Sequence, residues 1–140
     1  MAVSCMQEGL IPMSQQAGEV HELVCYHDYG FADEDNPEEC RRLGEDMADK
    51  WLMIMHNHGL LSVGRSVAEA FFYLYTLENA CKVQVDVMSS GATPKCIDDE
   101  SLRMLAEYSR PKAEGPSDSA NRCWQALIRQ LDAQDPSYKD

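Results

Sequence analysis

Basic residues are scarce in this chain: 12 Lys and Arg stand against 24 Asp and Glu, a net charge of −12 over 140 residues. Nucleic acid and anionic membrane surfaces both demand a basic face, so neither is expected as a partner. No uninterrupted apolar run approaches the ~18 residues that a membrane-spanning helix needs. There is no CxxC pair and no secretory pattern, and the cysteines at positions 5, 25, 40, 81, 96 and 123 are widely spaced. Reduced thiols in a cytoplasm are the expectation. No Gly-rich phosphate loop follows a strand, Gly59 to Gly64 lacks the lysine of a P-loop, and no GxSxG elbow occurs. No internal repeat is evident. A low apolar content is lacking too, for 44% of the residues are apolar, with two Trp and six Tyr, which argues against disorder. The length suits one domain or part of one.

What is present centres on positions 51 to 88. Trp51 to Met55 is a continuous apolar run of strand length, predicting a strand buried on both faces. The polar His56-Asn57-His58-Gly59 follows, then Leu60 to Val63 as a second short strand closed by Gly64. Ser66-Val67-Ala68-Glu69 is a capping box that opens a long helix. Val67, Ala70, Phe71, Leu74, Leu77, Cys81, Val85 and Met88 recur at three- and four-residue steps, predicting that this stripe faces a core. Gly91 and Pro94 mark the helix stop.

Upstream, Ala2 to Met6 reads as the end of a helix already under way, Leu10 to Ser14 as a loop, and Gln15 to Ala17 as a helical turn. Glu22 to Tyr26 is a strand candidate running into the polar His27-Asp28-Tyr29-Gly30. Asn36 can cap a helix with Pro37 at its first position and Glu39 at its third, ending near Ala48. The acidic run from Asp33 to Glu39 suits that helix's dipole better than it suits a metal site. Downstream, Asp98 or Ser101 caps a helix with Leu102, Leu105 and Tyr108 on one side. Lys112 to Ser119 reads as a linker. A final helix over about Ala120 to Ala133 should dock through Cys123, Trp124, Leu127, Ile128 and Leu131, with Tyr138 near the C-terminus.

For chemistry, His56 and His58 form His-x-His at a strand end, where an extended backbone would aim both rings to one side as two ligands of one metal ion. The plainer alternative is one exposed histidine and one hydrogen-bonded to a neighbouring loop. Glu69 is explained by capping, Glu78 by solvent exposure, and Cys81 by packing in the apolar stripe.

These segments together resemble a known family. Asn57-His58-Gly59-Leu60-Leu61-Ser62-Val63-Gly64, the Glu69-Ala70-Phe71 helix segment, and Leu77 to Gln84 are similar to the class II aldolase and adducin family, whose hallmark is NHG-x-x-x-x-G before such a helix. Ala2-Val3-Ser4, Gly9-Leu10, Pro12 to Gln15 and Tyr26 to Tyr29 resemble its upstream motifs, and Trp124 to Tyr138 the tail of bacterial adducin-like members. The resemblance implies an α/β fold, a three-layer α/β/α sandwich of class II aldolase type around a mostly antiparallel sheet. Here it would be incomplete, with residues 1–110 as the C-terminal portion of the domain, 111–119 a linker, and 120–140 a C-terminal helix and tail.

By the same resemblance, His58 aligns with the third of three zinc-ligating histidines. The other two ligands and the glutamate that moves the proton belong to a segment before Met1. His56 is a departure from the family pattern, which generally has arginine or another non-ligand at that place, and Tyr138 is a distant candidate for an assisting tyrosine. Implied are Zn2+ as cofactor, a small carbonyl compound such as a sugar phosphate as substrate, carbon-carbon bond cleavage as the reaction, and a cytoplasmic homo-oligomer, a tetramer in the family. With one ligand, this chain alone is expected to be inactive. The competing expectation is an adducin-like interaction module without chemistry, although the basic tail of adducin proper does not appear before Asp140. Strands without neighbours predict oligomerisation or poor solubility.

Overall fold

The computed structural model describes residues 1–30, 36–111 and 117–139. The acidic Asp33 to Asp35 and most of the expected linker, residues 112–116, lie outside the described residues. Among the described residues, three strands form one sheet in the order β1 (Val24–His27), β2 (Leu52–Met55), β3 (Gly59–Ser62). β2 is central, and all four of its side chains are buried, as its unbroken apolar run requires. β1 lies parallel to it, with Val24 beside Leu52 and His27 beside Met55, and β3 antiparallel, with Leu52 opposite Ser62. The described sheet is therefore mixed, with one pairing of each kind, where the resemblance implied mostly antiparallel.

Side-chain alternation along β2 builds two cores. Leu52 and Ile54 join Val3, Leu10, Ala17, Val20, Tyr73, Leu77, Ala80 and Cys81 on one face, which is covered by α1 (Gln15–Val20) and α3 (Val67–Ser89). Met53 and Met55 join Met47 on the other, under α2 (Pro37–Met47), with Cys25, Tyr29, Leu43 and Leu61 around them. Helix, sheet, helix: the three layers of the expected α/β sandwich are present. Each large side chain so buried contributes roughly 1.5–3 kcal/mol. Ala2–Cys5 is a short 3-10 helix, and α1 runs three residues beyond the single turn expected.

The caps match their sequence signals. Asn36 Oδ1 accepts from the Glu38 and Glu39 amides at the start of α2, with Pro37 in the first turn. Ser66 Oγ accepts from the Glu69 amide at the start of α3, and Glu69 Oε2 from the Arg65 amide. Asp98 caps α4 (Asp99–Ser109); Ser117, read as linker in the sequence, caps α5 (Asp118–Gln134), which begins two residues before the expected start.

The expected stripe on α3 is turned. Its buried side chains are Ala68, Glu69, Tyr73, Thr76, Leu77, Ala80, Cys81 and Gln84, whereas Val67 is 72% exposed and Phe71 and Met88 are also open. Three polar residues lie on the true inner face because each has a partner there. Thr76 Oγ1 donates to the Phe72 carbonyl, Glu69 caps, and Gln84 binds the N-terminal segment. The outward strip of α3 meets α5 instead, with the Phe71 and Trp124 rings edge to face at 5.4 Å. So α5 docks, but narrowly: Trp124 and Ile128 are half-buried, while Cys123, Leu127 and Leu131 stay exposed. On α4, Leu102 and Leu105 lie against Gly18 of α1, and Tyr108 is not part of that face, being 85% exposed.

Candidate functional site

The site suggested by sequence lies where β2 ends. His56-Asn57-His58 is a turn and not a continuation of the strand, since Asn57 takes a left-handed φ of 59° and His58 N donates to the Met55 carbonyl. Gly59 then starts β3 at φ 153°, which favours glycine. The turn is fastened from two sides: His56 N donates to the His27 carbonyl at 2.8 Å, and Asn57 N to the Ser4 carbonyl at 2.9 Å.

This geometry overturns the expectation that both imidazoles share one side of an extended backbone. Each ring meets its own tyrosine. His56 stacks on Tyr26, with ring centroids 5.7 Å apart, and Tyr26 Oη in turn accepts from the Leu10 amide. His58 lies against Tyr29 with centroids 4.1 Å apart, and it is exposed at the sheet end. An imidazole tilted at 32° against a ring yet open to solvent keeps a nitrogen available as a donor.

Sequence reasoning missed His27, which the structure buries completely beside this turn. Its Nδ1 lies 2.7 Å from Asp46 Oδ2 and its Nε2 2.9 Å from Glu39 Oε1. Burial by itself pushes the His27 pKa down, but the hydrogen bonds and charges of Asp46 and Glu39 outweigh it, so the net shift is upward. Glu39 also accepts from Gly30 N and from Arg42 Nη1, and Arg42 Nη2 reaches the Asp28 carbonyl. The Gly30 amide, then His27, hold the Glu39 carboxyl below its ordinary range. Glu39 and Asp46 stand seven residues apart on one face of α2, the spacing that could have pointed to this arrangement.

The other candidates are structural. Glu69 is buried between the Arg65 amide and, at 3.3 Å, the Ser117 amide. Burial, then the charge of Glu78, pushes the Cys81 thiol up to about 11, the opposite of an activated nucleophile. Tyr138 Oη donates to Asp132 on the surface of the C-terminal segment. Among the described residues, no three His, Cys, Asp or Glu side chains gather as a metal site would require. A catalytic zinc takes about three protein donors. His58 can supply one of them, so the described residues alone do not fit a complete zinc site.

Residues 1–85 match the family model described as the class II aldolase and adducin N-terminal domain. The chain belongs to the class II aldolase and adducin family. A protein of Pseudomonas aeruginosa provisionally named an aldolase class 2 protein is 40% identical over 144 residues, covering 99% of this chain and 54% of the relative. Alpha-adducin of Rattus norvegicus is 42% identical over 96 residues, 66% of this chain and 12% of adducin. Among solved structures, an aldolase II superfamily protein from Pseudomonas syringae superposes with a TM-score of 0.89 at 37% identity, over 99% of this chain and 55% of that one. The L-fuculose 1-phosphate aldolase of Glaciozyma antarctica, at 20% identity and a TM-score of 0.71, shares the class II aldolase fold. This family member spans about half the length of the bacterial relatives it matches. No helix among its described residues is long and apolar enough to cross a membrane.

Proposed function

We propose that this chain is the part of a class II aldolase-type domain that presents His58 as one donor to a divalent metal, most simply Zn2+. The remaining donors and the proton-moving carboxylate lie outside these residues. The reaction class is carbon-carbon bond cleavage in a small carbonyl compound such as a sugar phosphate, in a cytoplasmic homo-oligomer. What supports this is the exposed His58 imidazole, braced by Tyr29 at the open end of the sheet. The chain's own contribution is positional. The 56–58 turn fixes the ring's direction, and Tyr29 limits its rotation. With one donor, the isolated chain binds zinc weakly and does not cleave substrate.

Zinc titration followed by histidine side-chain NMR tests the donor. The expected result is a weak response centred on His58 that vanishes in His58→Ala, leaving the other three histidines unmoved. A response centred on any other histidine, or none at high zinc, would remove His58 from the reading. The second reading is an adducin-like interaction module. It is favoured by the adducin match and by the absence of three gathered donors among the described residues. Co-sedimentation with actin filaments, together with zinc indifference, would select it.

A further inference from the structure

The His27 ring has both nitrogens on carboxylates, 2.7 Å from Asp46 and 2.9 Å from Glu39, and its side chain is wholly buried. A neutral imidazole has one N–H and one lone pair, whereas an ionised carboxylate only accepts. A neutral His27 would therefore set a lone pair against a carboxylate oxygen, and only the imidazolium satisfies both contacts. The ring joins β1 to two places on α2, one at each end of the helix.

The backbone carrying this ring holds the 56–58 turn. The His27 carbonyl accepts from His56 N, the preceding Tyr26 stacks on His56, and Tyr29, two residues on, lies against both His58 and the edge of the His27 ring. The aromatic support of the turn thus comes from the β1 end that His27 pins. We propose that protonated His27 is a positioning residue for the His58 end of the sheet, and that loss of its second N–H proton loosens Tyr29 from His58. Its functional bearing rests on the reading of His58 as a metal donor; the coupling itself does not.

Among the described residues, the charged and titratable groups that face the ring are consistent with this assignment. From α2 come Glu39 and Asp46, with Arg42 bonded to the far oxygen of Glu39. From the segment after β1 comes the phenol ring of Tyr29, and from β2 the register neighbour is the uncharged Met55. Two carboxylates against one bonded arginine leave one negative charge for the imidazolium to balance. The upward shift of the His27 pKa agrees in direction.

NMR on the metal-free chain tests the coupling. Two His27 ring N–H protons are expected below its titration. As pH rises through it, the Tyr29 to His58 ring contact should weaken and the His56 amide should exchange faster, with one midpoint for all three signals. In Asp46→Asn, which removes a half-exposed carboxylate and should fold, that shared midpoint moves down by about one pH unit or more. In His27→Gln the pH response disappears. A Tyr29 to His58 contact and a His56 amide indifferent to His27 titration would overturn the proposal, as would an unmoved midpoint in Asp46→Asn. Failure of zinc to bind His58 would leave these signals unchanged, so the two readings fail separately.

Discussion

Replacing Gln84 is the sharpest test of how α3 is held. Its amide is fully buried, with Nε2 donating to the Gly9 carbonyl at 2.8 Å and Oε1 accepting from the Ile11 amide at 2.8 Å. Gln84→Leu keeps the volume but orphans one backbone acceptor and one backbone donor. Each orphan costs about 1–3 kcal/mol, partly offset by the apolar character of leucine, so a loss of about 2–4 kcal/mol is expected. For a chain of this size each kcal/mol lowers Tm by about 3–4 °C, giving a fall of roughly 6–16 °C. Urea unfolding, followed by circular dichroism, reads the change directly. Gln84→Met should lose about as much, because shape is not the cause. If either variant stays within about 0.5 kcal/mol of the parent, the hydrogen bonds contribute far less than the argument requires.

Gly9→Ala places a Cβ 2.5 Å from the Tyr26 ring at a backbone φ of 62°, so both strain and collision oppose it. A loss of at least about 2 kcal/mol is expected, with altered Tyr26 and His56 ring resonances. Gly44→Ala is the opposite case, a mid-helix glycine with open space around it, and should stabilise by about 0.5–1 kcal/mol in the same urea assay. Thiol labelling of the native protein should modify the exposed Cys5, Cys40, Cys96 and Cys123 quickly, and Cys81, with its thiol at about 11, only after unfolding. Equal rates for Cys81 and the exposed four would contradict its burial.

Local chemistry was the legible part of this chain. The caps at Ser66, Asn36 and Asp98 depend on residues within three positions of one another, and each formed as its pattern implies. β2 was readable because an apolar run of strand length has few other uses. The NHG turn marked the sheet end, and with it the exposed His58. What escaped were groups satisfied from far along the chain. Gln84 finds its partners 73 and 75 residues away, so an amide that looks solvated in the helical pattern is interior, and the expected stripe, right at Leu77 and Cys81, strayed from the inner face at Val67, Phe71 and Met88. His27 finds Glu39 and Asp46 at separations of 12 and 19 residues, and the seven-residue step between those two carboxylates on α2 shows a shared face without showing which residue it meets. In the same way, the His-x-His spacing assumed extended backbone, and the left-handed Asn57 turned the two rings to different tyrosines.

The narrow seam between α5 and α3 has an optical corollary. Trp124 sits in that seam against Phe71, whereas Trp51 lies just before β2 beneath the Arg65 guanidinium and edge-on to Tyr73. One indole therefore reports whether the last helix is seated, and the other whether the body of the protein is intact. With each replaced in turn by phenylalanine, emission spectra would follow detachment of the tail helix separately from collapse of the sheet.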